Sequence, residues 1–334
     1  MEFLIGGYAR PGIGGIRWLS LNETEKTLED RSACDELENP SWLCPHPEGK
    51  ILYAVEERVP DGNIVVLERA GDQWRVRQRV PAGSAPCHIR LDAGNGMLFV
   101  SNYMDGTLSV YRLDPRGNIG GQTDLIRHHG SGPVSDRQEA AHVHSALYDR
   151  GVVYVADLGT DQVTAYQVHP ADGKLSLRKA YDLPPGSGPR HMATHPEHPG
   201  LLYVIGELSG EIYALSLNDG AILDRISVIP EEYSGESRAS AIKLVGDTLY
   251  AGVRESNNVA VGSIGPGGTL AAPSITLLRH ETPRDVWMNG TWCLTADEGS
   301  EGVTLLERQG NGLTERFFLP TPGLKPACIL EWKG

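Results

Sequence analysis

The residues of this chain best suited to chemistry are arginines, histidines and carboxylates at corresponding places of a repeated pattern. The starts of one set of segments supply Trp42, His88, His142, His144, Arg190, His191 and Arg284. The ends of a second, apolar set supply Glu57, Asn102, Tyr103, Asp157, Glu207, Arg254 and Glu298. Gathered at one opening, guanidinium groups, imidazoles and carboxylates would form a site for a small anionic or strongly polar ligand. The same residues also admit plainer roles. Arg190, Arg254 and Glu207 fit a buried ion-pair network without chemistry, because structural networks perturb pKa values too. His142 and His144 alternate along one strand, so at most one faces a central opening, and His144 is favoured. Cys87 fits a small buried apolar residue better than a nucleophile. His46, His169, His195, His198 and His280 are read as structural or solvent-exposed.

These groups must be positioned by seven short apolar segments that begin at residues 4, 53, 99, 154, 203, 250 and 294. Among them are Tyr53-Ala54-Val55-Glu56-Glu57, Phe99-Val100-Ser101-Asn102-Tyr103 and Tyr203-Val204-Ile205-Gly206-Glu207. Their spacing stays near fifty residues and closes on itself from 294 through the C-terminus to 4, which argues for a ring of repeats. A Pro-led segment precedes most anchors, a Gly/Asp/Asn/Pro turn separates the two, and an alternating strand such as Thr107-Leu108-Ser109-Val110-Tyr111 follows. The pattern predicts an all-β, seven-bladed β-propeller of four-stranded antiparallel blades, one domain over residues 1–334. The first repeat lacks its Pro-led strand, and the segment 327–332 is left over at the end. Pairing of the N- and C-terminal strands would close the ring and leave no unpaired edge there. In such a disc the start of each inner strand and the end of the next strand lie on one face, so the candidate residues above converge on one mouth.

The net charge is −13, and no basic tract interrupts it. Nucleic acid and anionic membrane surfaces are therefore excluded as expected partners. An anionic ligand would need a local arginine cluster. The five cysteines show no CxxC spacing, which fits neither a disulfide framework nor a zinc site and suggests a reducing compartment. No signal peptide or membrane span is read, and a cytoplasmic protein is expected. The sequence specifies no oligomeric state.

Several motifs then point to a family. Glu139-Ala140-Ala141-His142-Val143-His144-Ser145-Ala146, followed by Asp157-Leu158-Gly159-Thr160-Asp161-Gln162-Val163, resembles the H-x-HS and DLG-x-D-x-V segments of the seven-bladed lactonases. Gly188-Pro189-Arg190-His191-Met192 with His195-Pro196 and Glu207-Leu208, and Pro86-Cys87 with Asn102-Tyr103 and Gly106, resemble further motifs of that family. The resemblance covers almost the whole chain. It implies a metal-independent site without cofactor, carried by His144, Arg190, Glu207 and Arg254. Relatives include 6-phosphogluconolactonases and carboxy-muconate cyclases. His88, Asn102, Tyr103, Asp157, His191, Arg284 and Glu298 are expected to contact substrate. The chain departs from the family pattern at Gly206, Val253, Asp297-Glu298 and Pro283-Arg284-Asp285, and extra acid at the mouth would oppose a phosphorylated substrate. The expected activity is hydrolysis of a sugar lactone, with Glu207 or His144 as general base and the arginines holding negative charge. Lactone formation from an unsaturated diacid, or ligand binding without catalysis, are the alternatives.

Overall fold

The computed structural model describes residues 1–13, 15–31, 34–71 and 73–333. Its strands form seven four-stranded antiparallel sheets, six of them in simple sequential order. Blade 1 combines Glu2–Tyr8, Arg17–Asn22 and Thr27–Asp30 with an inner strand from the other end of the chain, Lys325–Trp332. Blades 2 to 7 begin on the inner strands Leu43–Pro45, Pro86–Asp92, Val143–Asp149, Pro189–Thr194, Ala239–Val245 and Pro283–Met288. Neighbouring inner strands touch all the way round, from blade 1 through blade 7 and back.

The expected closure is present. Glu2 pairs with Trp332, Leu4 with Leu330 and Gly6 with Cys328, all antiparallel. Close approach shapes this seam: a Cβ on Gly6 would sit 2.3 Å from the Pro40 carbonyl oxygen of blade 2.

The repeated apolar anchors are the second strands, among them Ile51–Glu56, Met97–Asn102 and Leu201–Gly206, and all six residues of each are buried. They read as continuous apolar runs because each lies between two neighbouring blades rather than facing water on one side. Seven hydrophobic clusters follow, one in each gap between blades. Tyr53 and Phe99 lead two anchors and are wholly buried there. The tyrosines also tie successive blades together through their hydroxyls. Tyr53 Oη donates to Gly117 O at 2.9 Å and Tyr203 Oη to Gly268 O at 3.2 Å, each in a turn of the next blade. Buried hydroxyls need such partners.

In blades 2 to 7 the last residue of the second strand is buried among the sheets. Asp297, the last of Trp292–Asp297, is wholly buried there. The Thr304 hydroxyl donates to its Oδ2, while Oδ1 has no hydrogen-bond partner among the described residues. Burial dominates and pushes the Asp297 carboxyl up to about 7. A raised folded-state pKa gives stability that is complete below the ordinary carboxylate pKa and lost as pH rises through 7. Asp297→Asn should therefore raise the melting temperature at pH 8 to 9, by the equivalent of about 1–3 kcal/mol, and change it little at pH 4. Thermal melts across pH 4–9 test this; a constant offset at every pH would refute the assignment.

Candidate active site

Six of the seven inner strands, all but Leu43–Pro45 of blade 2, enter the channel through an irregularity in their pairing. Register shifts fall between Pro86 and His88, Val143 and Ser145, Pro189 and His191, and Pro283 and Asp285. Blade 6 has one between Ala239 and Ile242, and blade 1 has one opposite Gly6 and Gly7. The residues left without a ladder partner include Cys87, His144, Arg190 and Arg284. A bulge leaves one residue outside the ladder and re-aims its side chain. The residue just past the second strand provides the complementary ring: Glu57, Tyr103, Glu207, Arg254 and Glu298, with Tyr8 in the equivalent place of blade 1.

His144, Arg190, Glu207 and Arg254, from three blades, meet at one point. Glu207 Oε2 lies 3.0 Å from Arg190 Nε, 2.8 Å from Arg254 Nη2 and 3.9 Å from His144 Nε2. Its other oxygen accepts from Arg137 Nη2 at 2.6 Å. Glu207, Arg190, Arg254 and His144 are all buried. Burial opposes ionisation of Glu207, but Arg254, Arg190 and Arg137 outweigh it and hold the carboxyl far below the usual carboxylate range. Burial, with Arg254 alongside, pushes Arg190 down to about 10, so it stays charged at neutral pH. Burial first, then Arg190, drives the His144 imidazole well below its ordinary pKa, so it is neutral. Its Nδ1 has no hydrogen-bond partner among the described residues, and Arg190 Nε and Arg254 Nη2 are close to Glu207 without hydrogen-bond alignment. The cluster thus presents a neutral imidazole acceptor beside two cationic N–H donors.

The other half of the mouth is a second network. Arg284 donates to Glu298 Oε2 at 3.1 Å and to Tyr8 Oη at 2.6 Å. Tyr8 Oη donates to Glu57 at 3.1 Å, and Ser41 donates to the same carboxylate. Tyr103 stands edge-on to His144 with ring centroids 5.6 Å apart. The partly exposed side chains include Arg137 at 26%, Arg284 at 19% and Glu298 at 23%.

Other expected substrate contacts lie elsewhere. Asn102 and Asp157 are the last residues of their strands, one position before the ring, and face inward with no exposure. The Asn102 amide donates to Thr107 and Ser109 and accepts from Gly83 N. Asp157 accepts from His142 N and Gly159 N and pairs with His128 at 2.8 Å. Both are fully used in holding backbone and neighbouring side chains. His88 and His191 lie deeper, against Trp42, with ring centroids 4.3 and 5.3 Å from the indole. Asp297 is also off the mouth, so the expected extra acid there reduces to Glu298, which Arg284 neutralises. Four arginines (137, 190, 254 and 284) face three glutamates (57, 207 and 298), and the mouth is net positive on an acidic chain.

Two members of the site escaped the sequence reading. Tyr8 was legible as the fifth residue of the first anchor, aligned with Glu57 and Glu207. Arg137 comes from the connection between blades 3 and 4, outside the repeat, where no spacing marks it. Gln138 pins that connection by donating to Leu158 O and Asp161.

Residues 2–330 match the family model described as lactonase, 7-bladed beta-propeller. An uncharacterised protein of Lactococcus lactis subsp. cremoris is 31% identical over 93% of both chains. The 6-phosphogluconolactonase of Bacillus subtilis is 28% identical over 91% of this chain and 90% of its own. A crystal structure of a Lactobacillus plantarum protein superposes with a TM-score of 0.91 at 27% identity, covering 99% of each chain. The chain belongs to the seven-bladed β-propeller lactonase family.

Because three guanidinium groups share one buried carboxylate, Glu207→Gln should cost about 3–5 kcal/mol of stability, as when one partner of a buried ion pair is removed. Arg137→Gln, at the partly exposed edge, should cost less than about 1 kcal/mol. Urea unfolding of the two variants tests this, and equal losses would contradict the asymmetry.

Proposed function

We propose that this protein hydrolyses a sugar lactone, of the 6-phosphogluconolactone type, at the arginine-rich mouth. The observation that carries the assignment of roles is the saturation of Glu207. A carboxylate shared by three guanidinium groups and held far below its normal pKa is a poor proton acceptor. His144 is neutral, its Nε2 lies 3.9 Å from Glu207, and its Nδ1 is unpartnered among the described residues. We therefore assign His144 as general base and Glu207 as the anchor that orients the arginines and stabilises the imidazolium formed.

In the proposed reaction His144 removes a proton from water as its oxygen bonds to the lactone carbonyl carbon. The carbonyl electron pair moves onto oxygen, and Arg190 and Arg254 receive the developing charge. Preorganised donors of this kind are worth about 3–4 kcal/mol each. The intermediate then collapses: the ring C–O bond breaks, and the imidazolium returns its proton to the leaving alkoxide, giving the open hydroxy acid. No redox partner and no metal is called on, so EDTA is expected to leave turnover unchanged. The net positive mouth suits an acidic substituent on the substrate, and Arg137 and Arg284, the two partly exposed arginines, are placed to receive it. A cytoplasmic setting is part of this proposal and rests on five free cysteines. Among the described residues no helix is long and apolar enough to cross a membrane.

A panel of phosphorylated and unphosphorylated sugar lactones, followed by pH-stat and corrected for spontaneous opening, tests the activity. His144→Gln should lower kcat about 10²-fold or more, and Arg190→Ala at least tenfold, in variants with normal melting. Because the pKa of His144 lies well below 6.5, wild-type kcat/KM should be flat from pH 6.5 to 8 and fall only in more acidic solution. Full activity in His144→Gln would sink the base assignment. Absence of turnover on every lactone would sink the function and favour the cycloisomerase.

A further inference from the structure

Three rings from blades 2, 3 and 5 pack together along the channel. Trp42, His88 and His191 meet across it, with Trp42–His88 centroids at 4.3 Å, Trp42–His191 at 5.3 Å and His88–His191 at 5.9 Å. On the mouth side His191 meets His144 at 5.5 Å. On the opposite side lie two adjoining cavities of about 280 and 370 Å³, which share Trp42, His88, Arg90 and Lys243 as walls. This second mouth is built by the same strand rule as the first. Arg90 lies two residues beyond His88 and Lys243 one residue beyond Ile242, where ladder pairing resumes on the inner strands Pro86–Asp92 and Ala239–Val245.

The charge balance there is one-sided. Among the described residues no aspartate or glutamate lines either cavity, although the chain carries 43 of them. The Arg90 guanidinium makes no hydrogen bond or ion pair among the described residues. Lys243 lies 3.2 Å from Asp285, but that carboxylate is buried and already accepts the backbone N–H groups of Val286 and Ile329. Lys243 is also held over the Trp42 ring, 5.7 Å from the centroid. An exposed guanidinium without a partner among the described residues and an ammonium paired with Asp285 both line this hollow on a chain of charge −13. Such an arrangement attracts anions against the overall field of the protein.

We propose that this second mouth binds a small oxyanion-bearing molecule, a carboxylate or phosphate, with Arg90 and Lys243 as its charge partners. Arg90 supplies a planar fork matched to either group, and Lys243 supplies a point charge. The site is separate from the lactone mouth and does not depend on the function proposed for it. Its ligand would lie against the far side of the Trp42–His88–His191 layer. Occupancy can therefore be read by indole fluorescence.

The test is calorimetric and fluorimetric titration of the full chain with inorganic phosphate and with citrate, in a chloride buffer of fixed ionic strength. Saturable binding of either is expected, and the stronger of the two names the class. Arg90→Gln should weaken it at least tenfold while lactone turnover is unchanged, since Arg90 lies outside the lactone mouth. Binding should persist in Arg254→Gln, which disables the lactone mouth. Three results overturn the proposal: no saturable binding of either anion, binding indifferent to Arg90→Gln, or binding lost in Arg254→Gln.

Discussion

Everything in this molecule depends on the pairing of Glu2–Tyr8 with Lys325–Trp332. Without that ladder, blade 1 has no inner strand, and the ring has a gap where Tyr8, Glu57 and Arg284 would otherwise meet. The pairing is extremely non-local, so its loop-closure entropy must be repaid by contacts formed only when the ring is complete. The clusters that flank the seam provide them: Leu4, Trp18 and Trp332 pack with blade 2, and Phe3, Ile5 and Ile329 with blade 7. Each hydrophobic core lies between blades rather than within one. A blade alone would therefore expose both faces, and stability is a property of the closed ring.

Given the ring, chemistry is concentrated by a small backbone device. The bulge near the start of the inner strands takes one residue out of the ladder, and in consecutive blades 3, 4 and 5 that residue is Cys87, His144 and Arg190. The residue beyond the second strand then faces it. Charges brought together this way are desolvated. At an effective dielectric of about 20, ion pairs near 3–4 Å gain on the order of 4–5 kcal/mol each before desolvation is counted. The cost of burial is several kcal/mol per ion. Glu207 answers three cations at once, so the balance leaves surplus positive potential. That surplus suits the anionic transition state proposed above, and it exists because the mouth sets four guanidinium groups against three carboxylates.

The repeat made the architecture legible. Apolar anchors at a near-constant spacing identified the second strands, and the orphan segment 327–332 identified the closing strand. Strand direction also put His144, Arg190, Glu207 and Arg254 on one face. What failed was parity at the strand end. Asn102 and Asp157 are polar and terminal, as are Tyr103 and Glu207, but side chains alternate and the ring takes only the following residue. Aligning Tyr8, Glu57, Tyr103, Glu207, Arg254 and Glu298 as one column would have separated the two sets and added Tyr8. Arg137 had no such column. Its place is set by a connection outside the repeat, pinned by Gln138, and only tertiary structure brings it to Glu207.

The same parity changes the meaning of the departures from the family pattern. Gly206, Val253 and Asp297 all occupy the inward column, where they shape the space between blades and not the mouth. At Gly206 a Cβ would sit 2.4 Å from the Ser209 hydroxyl and 2.6 Å from the Ser187 carbonyl, so neighbouring groups have taken the space of a larger residue. Substrate choice should therefore follow the outward column and Arg137. Within this fold, Glu298 matters more than Asp297 for an acidic substrate, and its charge is already met by Arg284 at 3.1 Å. The acid that seemed to argue against a phosphorylated lactone is thus either buried behind the mouth or neutralised at it. Four guanidinium groups stand at the mouth against three glutamates.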